Sequence, residues 1–283
     1  MLAIALGLTA ALCWAIHDLF VRKLSQGTEL VPLMVAVLAA GCVVLILPAI
    51  LLGDWGKMST TVLWLALAAG VAFAVAFGSL YKAFSLAPVR VVSPIIGAYP
   101  MLSLAIAAGQ GRMVTLADWL AVTAIVAGIV VVAMTADAAS APKGRTGTAR
   151  AVAWSALSGS GFAVTFALGQ EAARHGSELP AILVTRAAAL ICVALLLALR
   201  RTMPQPIGSQ WKIMVAMGLL DVVALGAVMT AGRFPHAEFA SVSSALFGVL
   251  TILLAARFLG EAVRPIQWIG IAVVFAGIGK LAL

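Results

Sequence analysis

KAFSLAPVRVVSPIIGAYPMLSLAIAA, residues Lys82–Ala108, is the stretch that decides the fold. It is apolar enough to sit in lipid, yet it holds three prolines (Pro88, Pro94, Pro100), Gly97 and Tyr99. Inside a bilayer no water satisfies backbone N–H and C=O groups. A helix interrupted by proline is therefore tolerated only where it faces protein or a watery cavity. The second half of the chain has a counterpart in Thr230–Ala256, TAGRFPHAEFASVSSALFGVLTILLAA, Ser-rich where the first is Pro-rich. Interrupted segments at corresponding places in two halves of a chain point to a transport site.

Composition fits that environment. Hydrophobic residues make up 64% and charged residues 10% of the 283, against roughly 45–50% and about 25% in soluble chains. The chain reads as an all-α membrane protein. Its net charge of +8 comes from Lys and Arg scattered singly between apolar runs, with no basic face to track phosphates, so nucleic acid is excluded as a partner. Cys13, Cys42 and Cys192 each lie inside an apolar run, without a CxxC pair or a nearby His at ligand spacing. They read as small buried hydrophobes, and neither a metal nor a cofactor is expected. The N-terminal run lacks a basic leader, and Leu12 precedes Cys13 where a lipoprotein signal wants a small residue, so neither cleavage nor lipidation is expected. GxSxG, HExxH and a phosphate-binding glycine loop are all missing, which leaves an enzyme without a candidate residue set. Without a nucleotide-binding domain, transport must run on a gradient or by exchange.

Ten apolar runs are long enough to cross a hydrocarbon core of about 30 Å as helices: Leu2–Leu24, Leu30–Leu52, Val62–Ala83, Val91–Ala108, Leu116–Ala136, Val152–Ala172, Leu179–Leu199, Trp211–Ala231, Phe239–Ala256 and Ile266–Leu283. The longest polar interval, Asp137–Thr148 (DAASAPKGRTGT), falls mid-chain and reads as a flexible linker. It divides a first unit, 1–136, from a second, 149–283. Gly27-Thr28-Glu29-Leu30 recurs as Gly176-Ser177-Glu178-Leu179, Trp14-Ala15-Ile16 as Phe162-Ala163-Val164, and Gly111–Gly128 as Gly260–Gly277, at offsets of 148–149. Loops and tryptophans in register over that distance mean internal duplication. Five helices per unit is an odd number, so the two units must lie in opposite orientations, as inverted repeats.

LAPVRVVSPI at Leu86–Ile95 and FLGEAVRPIQWIGIAVVFAGI at Phe258–Ile278, with Trp14 near the middle of the first helix, resemble the drug/metabolite transporter superfamily, EamA type. One departure is Gly111-Arg112, standing where the family usually has Gly-Glu; Glu261 matches the pattern and reads as a helix cap. The resemblance implies a ten-helix carrier with alternating access and a central cavity between the repeats, in a bacterial-type plasma (inner) membrane, as a monomer or weak homodimer. Many relatives export amino acids or other small metabolites, and the fold type also serves lipid flippases.

Orientation follows from charge. The connections after helices 1, 3, 5, 7 and 9 hold twelve Lys and Arg, and the opposite side holds five. The positive-inside rule then puts those odd-numbered connections in the cytoplasm and both termini outside. The resemblance implies the reverse, termini inside.

Four ionisable residues fall inside the spans: His17, Asp18, Arg186 and Asp221. Burying a charge at the bilayer centre costs at least about 2.5–3.5 kcal/mol, which makes each a functional candidate. At about 1.5 Å rise per residue, the four share one central band. Arg186 and Asp221 read either as a structural ion pair or as a site in which Arg186 holds a substrate carboxylate and Asp221 tunes it. His17, Asp18 and Asp221 are candidates for proton coupling; the plainer reading pairs Asp18 with Arg22 one turn on. Neighbours on a helix point about 100° apart, so at most one of His17 and Asp18 is expected to face a given partner. Trp14 and Phe162 are repeat mates, expected to face each other and line the cavity with Tyr99, whereas Phe77 and Tyr81 read as packing or anchor residues. Ser241, with Ser243, Ser244, Ser158, Ser160 and Thr165, offers hydroxyls, though small residues also simply permit close helix contact. The expected substrate-binding set is thus Trp14, His17, Tyr99, Phe162, Arg186, Asp221 and Ser241. The expected function is secondary active export of a small polar or amphipathic, amino-acid-like metabolite, with protons as candidate coupling ion. A lipid or lipid-linked flippase and a non-transporting membrane scaffold are the alternatives.

Overall fold

The computed structural model describes residues 1–25, 28–87, 89–134, 145–199, 210–259 and 265–282, and every regular element among them is helical. In chain order these are α1 (Leu2–Leu24), α2 (Leu30–Leu52), α3 (Thr60–Leu86), α4 (Val89–Ile96), α5 (Tyr99–Gly109), α6 (Leu116–Met134), α7 (Arg145–His175), α8 (Glu178–Leu199), α9 (Trp211–Thr230), α10 (Glu238–Ser244), α11 (Phe247–Leu259) and α12 (Pro265–Ala282). Seven segments are long and apolar enough to cross a membrane, among them Glu238–Phe258, which joins α10 and α11. Tyr99–Gly109, Leu116–Val131 and Trp268–Ile278 are shorter apolar helices. Large apolar side chains point outward all along them, as Leu47, Trp64, Leu120, Leu195 and Trp268 do. That is the surface a helix presents to lipid, and the chain is an integral membrane protein.

Two helical runs are broken, for different chemical reasons. Between α4 and α5 the chain turns at Gly97-Ala98, and Pro100 sits in the first turn of α5. Proline has no N–H to give the preceding turn, which suits Pro100 to a helix start. Between α10 and α11 the break falls at Ala245-Leu246, without proline or glycine. There the backbone bonds tighten to three-residue steps, Ala245 N–H to Val242 O and Leu246 N–H to Ser243 O. The Ser243 hydroxyl donates to Phe239 O at 2.7 Å and that of Ser244 to Ser241 O at 2.9 Å, and serine back-bonding of this kind bends helices. The turn before α10 holds His236 in the left-handed region (φ 55°), its ring stacked on Phe239 at 5.1 Å.

The two halves interleave. α3 packs on α7 and α8, and α9 packs on α1 and α2. α1 also meets α10 and α11, just as α7 meets α4 and α5, while α2 meets α8 and α6 meets α12. Small residues allow the closest approaches: a Cβ at Gly7 would stand 2.3 Å from Ala240 O, so α1 and α10 touch backbone to backbone there. The connections between α2 and α3, α5 and α6, α7 and α8, and α9 and α10 share one face. Asp54 N–H donates to Ser177 Oγ, Arg112 pairs with Glu238, and Arg233 pairs with Glu178.

Helix α7 begins at Arg145, inside the stretch expected as linker. Residues 137–144 lie outside the described residues, as do Gly27, Arg200, Arg201, Gly260, Glu261 and Arg264.

Candidate functional site

Trp14, His17 and Asp18 occupy positions i, i+3 and i+4 of α1 and so share one face of it. That face looks towards α9, where Asp221 sits 1% exposed. Trp14 Nε1 donates to Asp221 Oδ1 at 3.0 Å, and Arg186 Nη1 of α8 donates to Asp221 Oδ2 at 2.5 Å. Both carboxylate oxygens are thus engaged. The Arg186 guanidinium lies 6.0 Å from the centre of the Phe73 ring and is pressed against Gly41 of α2, where a Cβ would stand 2.1 Å from Nη2. Only glycine leaves room for the ion pair. Nε and Nη2 of Arg186 have no hydrogen-bond partner.

Next to the pair, His17 Nδ1 is hydrogen-bonded to Asp18 Oδ1 at 3.1 Å, and Tyr81 OH lies 3.4 Å from His17 Nε2. Asp18 Oδ2 has no partner. The Arg22 guanidinium, one turn on, donates to Phe84 O at 2.8 Å. His17 and Asp18 both line the same cavity. The side chains are long enough to bend towards each other across the 100° between them.

Aromatic rings close the site from the α7 side. Trp14 stacks on Phe166 with centroids 5.4 Å apart and meets its repeat mate Phe162 at 6.0 Å. Tyr99 stands edge-on to Phe166 at 5.4 Å. The enclosed space, bounded by Trp14, His17, Asp18, Tyr99, Phe162 and Asp221 together with Phe166, Phe77, Leu80 and Phe247, is about 10 Å³. That holds about one water. The site is closed in this conformation.

Arg186 reaches this cavity only through Asp221, and Ser241 does not line it. The hydroxyl that meets Tyr99 OH, at 2.5 Å, is that of Ser244, one turn further along α10. Ser241 instead accepts from Gln170 Nε2 at 3.2 Å, beside a second small cavity lined by Ser103, Gln110, Arg112 and Glu238. Glu238, Ser241 and Ser244 stand at three-residue spacing on α10, and each is held from the first half or from α7: by Arg112 (2.5 Å), Gln170 and Tyr99. A polar seam therefore runs from the central cavity to the face where the paired connections meet. Ser158 and Thr165 donate to the carbonyls of Ala76 and Gly161, a packing role, and Ser160 is exposed.

Phe166, Gln170 and Glu238 were not singled out from sequence. A signal existed for the first two: Phe166 repeats Phe162 one turn on, and Gln170 is an amide within an apolar run. Arg112, the departure from the Gly-Glu pattern, finds its partner in Glu238, which no spacing rule connects to it. A far larger cavity, about 700 Å³, lies between α2, α3, α7 and α8, with Glu29 and Lys82 at its polar end and Val71, Val75, Leu157 and Leu196 along it.

No curated protein matches the sequence. A solved crystal structure, 21% identical, superposes over 99% of this chain and 98% of its own with a TM-score of 0.78, which shows a shared fold. The profile of the EamA-like transporter family matches residues 1–134 and again residues 149–282, and the chain belongs to that family of transporters.

Proposed function

We propose that this protein is a secondary active carrier, an exporter of a small polar or amphipathic, amino-acid-like metabolite, working by alternating access between two inverted five-helix repeats. The observation that carries the reading is the pair of broken helices, α4–α5 and α10–α11, which meet at one enclosed site lined from both halves of the chain. Their breaks fall at Gly97-Ala98 and Ala245-Leu246, the 148-residue offset of the duplication. Ten crossings follow if the joined α4–α5, α6 and α12 traverse the bilayer with the seven longer segments. Support for a two-fold axis comes from the packing, because exchanging each helix for its repeat mate turns α3–α7 into α9–α1 and α3–α8 into α9–α2. The division at 137–148 is supported by a family match that starts twice.

His17, Asp18 and Asp221 are the proposed coupling groups, and Trp14, Tyr99 and Phe162 the proposed substrate walls. Purified protein in proteoliposomes, loaded with labelled amino acids under an imposed pH gradient, tests the reading. Gradient-driven efflux that Trp14→Ala abolishes without changing folding or insertion supports it. Efflux equal to protein-free vesicles for every substrate overturns it and returns the chain to a scaffold role, and efflux unaffected by Trp14→Ala places the substrate outside this cavity.

The cavity of about 700 Å³ favours a second reading, a lipid flippase. It is bordered by lipid-facing side chains and carries Lys82 at its polar end, where a headgroup phosphate would lie. Flipping of a fluorescent phospholipid in the same vesicles, lost in Lys82→Ala, would establish it.

A further inference from the structure

The central site holds two buried carboxyl groups, Asp18 and Asp221, and one permanently charged cation, Arg186. Arg186 cancels Asp221, with Trp14 taking that carboxylate's second oxygen. Asp18 is as deeply buried, 1% exposed, but has only an imidazole on Oδ1 and nothing on Oδ2. A buried carboxylate without a permanent cation is costly in lipid unless it takes up a proton or a cation reaches it. Among the described residues lining the cavity there is no Lys or Arg, while six rings, those of Trp14, Phe77, Tyr99, Phe162, Phe166 and Phe247, surround the carboxylates.

On the carrier reading above, we propose that the site selects its substrate by a positive charge: an amine or quaternary ammonium group set on Asp18 Oδ2, with an apolar body between Trp14, Phe162 and Phe166. Ring faces attract cations, most strongly when water is excluded. A substrate carboxylate finds no counterpart. Among the described residues the guanidinium beside the site is that of Arg186, held by Asp221, and its Nε–Nη2 edge is packed on Gly41, where a Cβ would stand 2.8 Å from Nε. Nothing the size of a carboxylate can approach that edge. An amino acid is accepted through its ammonium group, and removing its carboxyl group leaves the recognised part intact.

Three compounds that share an indole ring and differ in the charged groups of the side chain test this: tryptamine, tryptophan and indole-3-propionate, each titrated calorimetrically against the purified protein. Tryptamine is expected to bind and indole-3-propionate not to. Asp18→Asn, with its thermal transition retained, is expected to weaken tryptamine at least tenfold. Trp14→Leu, a second variant independent of any folding defect at Asp18, is expected to weaken it as well. Equal binding of the propionate and the amine, unchanged tryptamine binding in folded Asp18→Asn, or no binding of any of the three overturns the proposal. Tryptophan binding without tryptamine binding overturns it too, but leaves an amino-acid carrier standing. Tryptamine binding without uptake into proteoliposomes overturns the carrier reading and leaves the cation site in place.

Discussion

Asp221 is the residue on which the centre of the molecule depends, because it answers the only Arg buried in a span among the described residues and the indole N–H of Trp14 at once. Breaking a buried pair leaves an uncompensated charge, a loss of about 3–5 kcal/mol. Arg186→Ala and Asp221→Asn are each expected to lower thermal stability by that order in detergent unfolding. The double replacement Arg186→Leu with Asp221→Leu is expected to cost less than the two single changes added together, since it removes both charges and leaves only the Trp14 N–H unsatisfied. Additive losses would show that the two side chains act separately. Gly41→Ala tests the same pair from behind. A methyl group placed 2.1 Å from Nη2 must displace the guanidinium, so this conservative change in an apolar helix is expected to destabilise nearly as much as Arg186→Ala and more than an alanine at exposed Gly109, which has open space around it.

At the level of elements, the boundaries of long helices were legible because the bilayer imposes a length: the expected runs Leu2–Leu24 and Leu30–Leu52 are α1 and α2 to the residue. The break after Gly97 was legible from proline and glycine. That at Ala245-Leu246 was visible only through the repeat, since three serines in a helix signal close packing as readily as a bend. Gathering Trp14, His17 and Asp221 needed only depth along the membrane normal, which counting residues supplies. Separating Ser244 from Ser241 needed the rotation of α10, which no count supplies. That rotation gives α10 a testable role. Its three polar contacts, Glu238–Arg112, Ser241–Gln170 and Ser244–Tyr99, close the cavity towards one face. The Glu238 side chain is 5% exposed and that of Arg112 19%, so the outermost contact is largely shielded from water. Glu238→Gln is expected to loosen this closure. With Cys13, Cys42 and Cys192 replaced by Ala, a cysteine at Ser241 should react with a membrane-impermeant thiol reagent several-fold faster in the Glu238→Gln background. An unchanged rate would mean that α10 is fixed and that the opening lies elsewhere.

For the whole molecule the open matter is which face is cytoplasmic, and the ion pairs sharpen the charge count. The rule counts Lys and Arg in short connections, and twelve of them lie on one side against five on the other. On the poorer side four of the five are already matched: Lys57 by Asp54, Arg112 by Glu238, Arg174 by Glu171 and Arg233 by Glu178. In each pair the carboxylate belongs to the same face, so that face is close to neutral as a surface. The other side carries Arg22, Lys23, Lys82, Lys212 and Arg257 against a single described carboxylate, Glu29. An anionic cytoplasmic leaflet attracts such a surface by about 1 kcal/mol per basic residue. The expected arrangement has that side in the cytoplasm, both termini outside, and the α10 closure facing the exterior. Alkaline phosphatase fused after Leu283 should then be active in whole cells and green fluorescent protein at the same point dark, because the first folds only outside and the second only inside. A fluorescent, phosphatase-negative result reverses the orientation. It would place the Arg112–Glu238 contact on the cytoplasmic side, where an exporter takes on its substrate instead of releasing it.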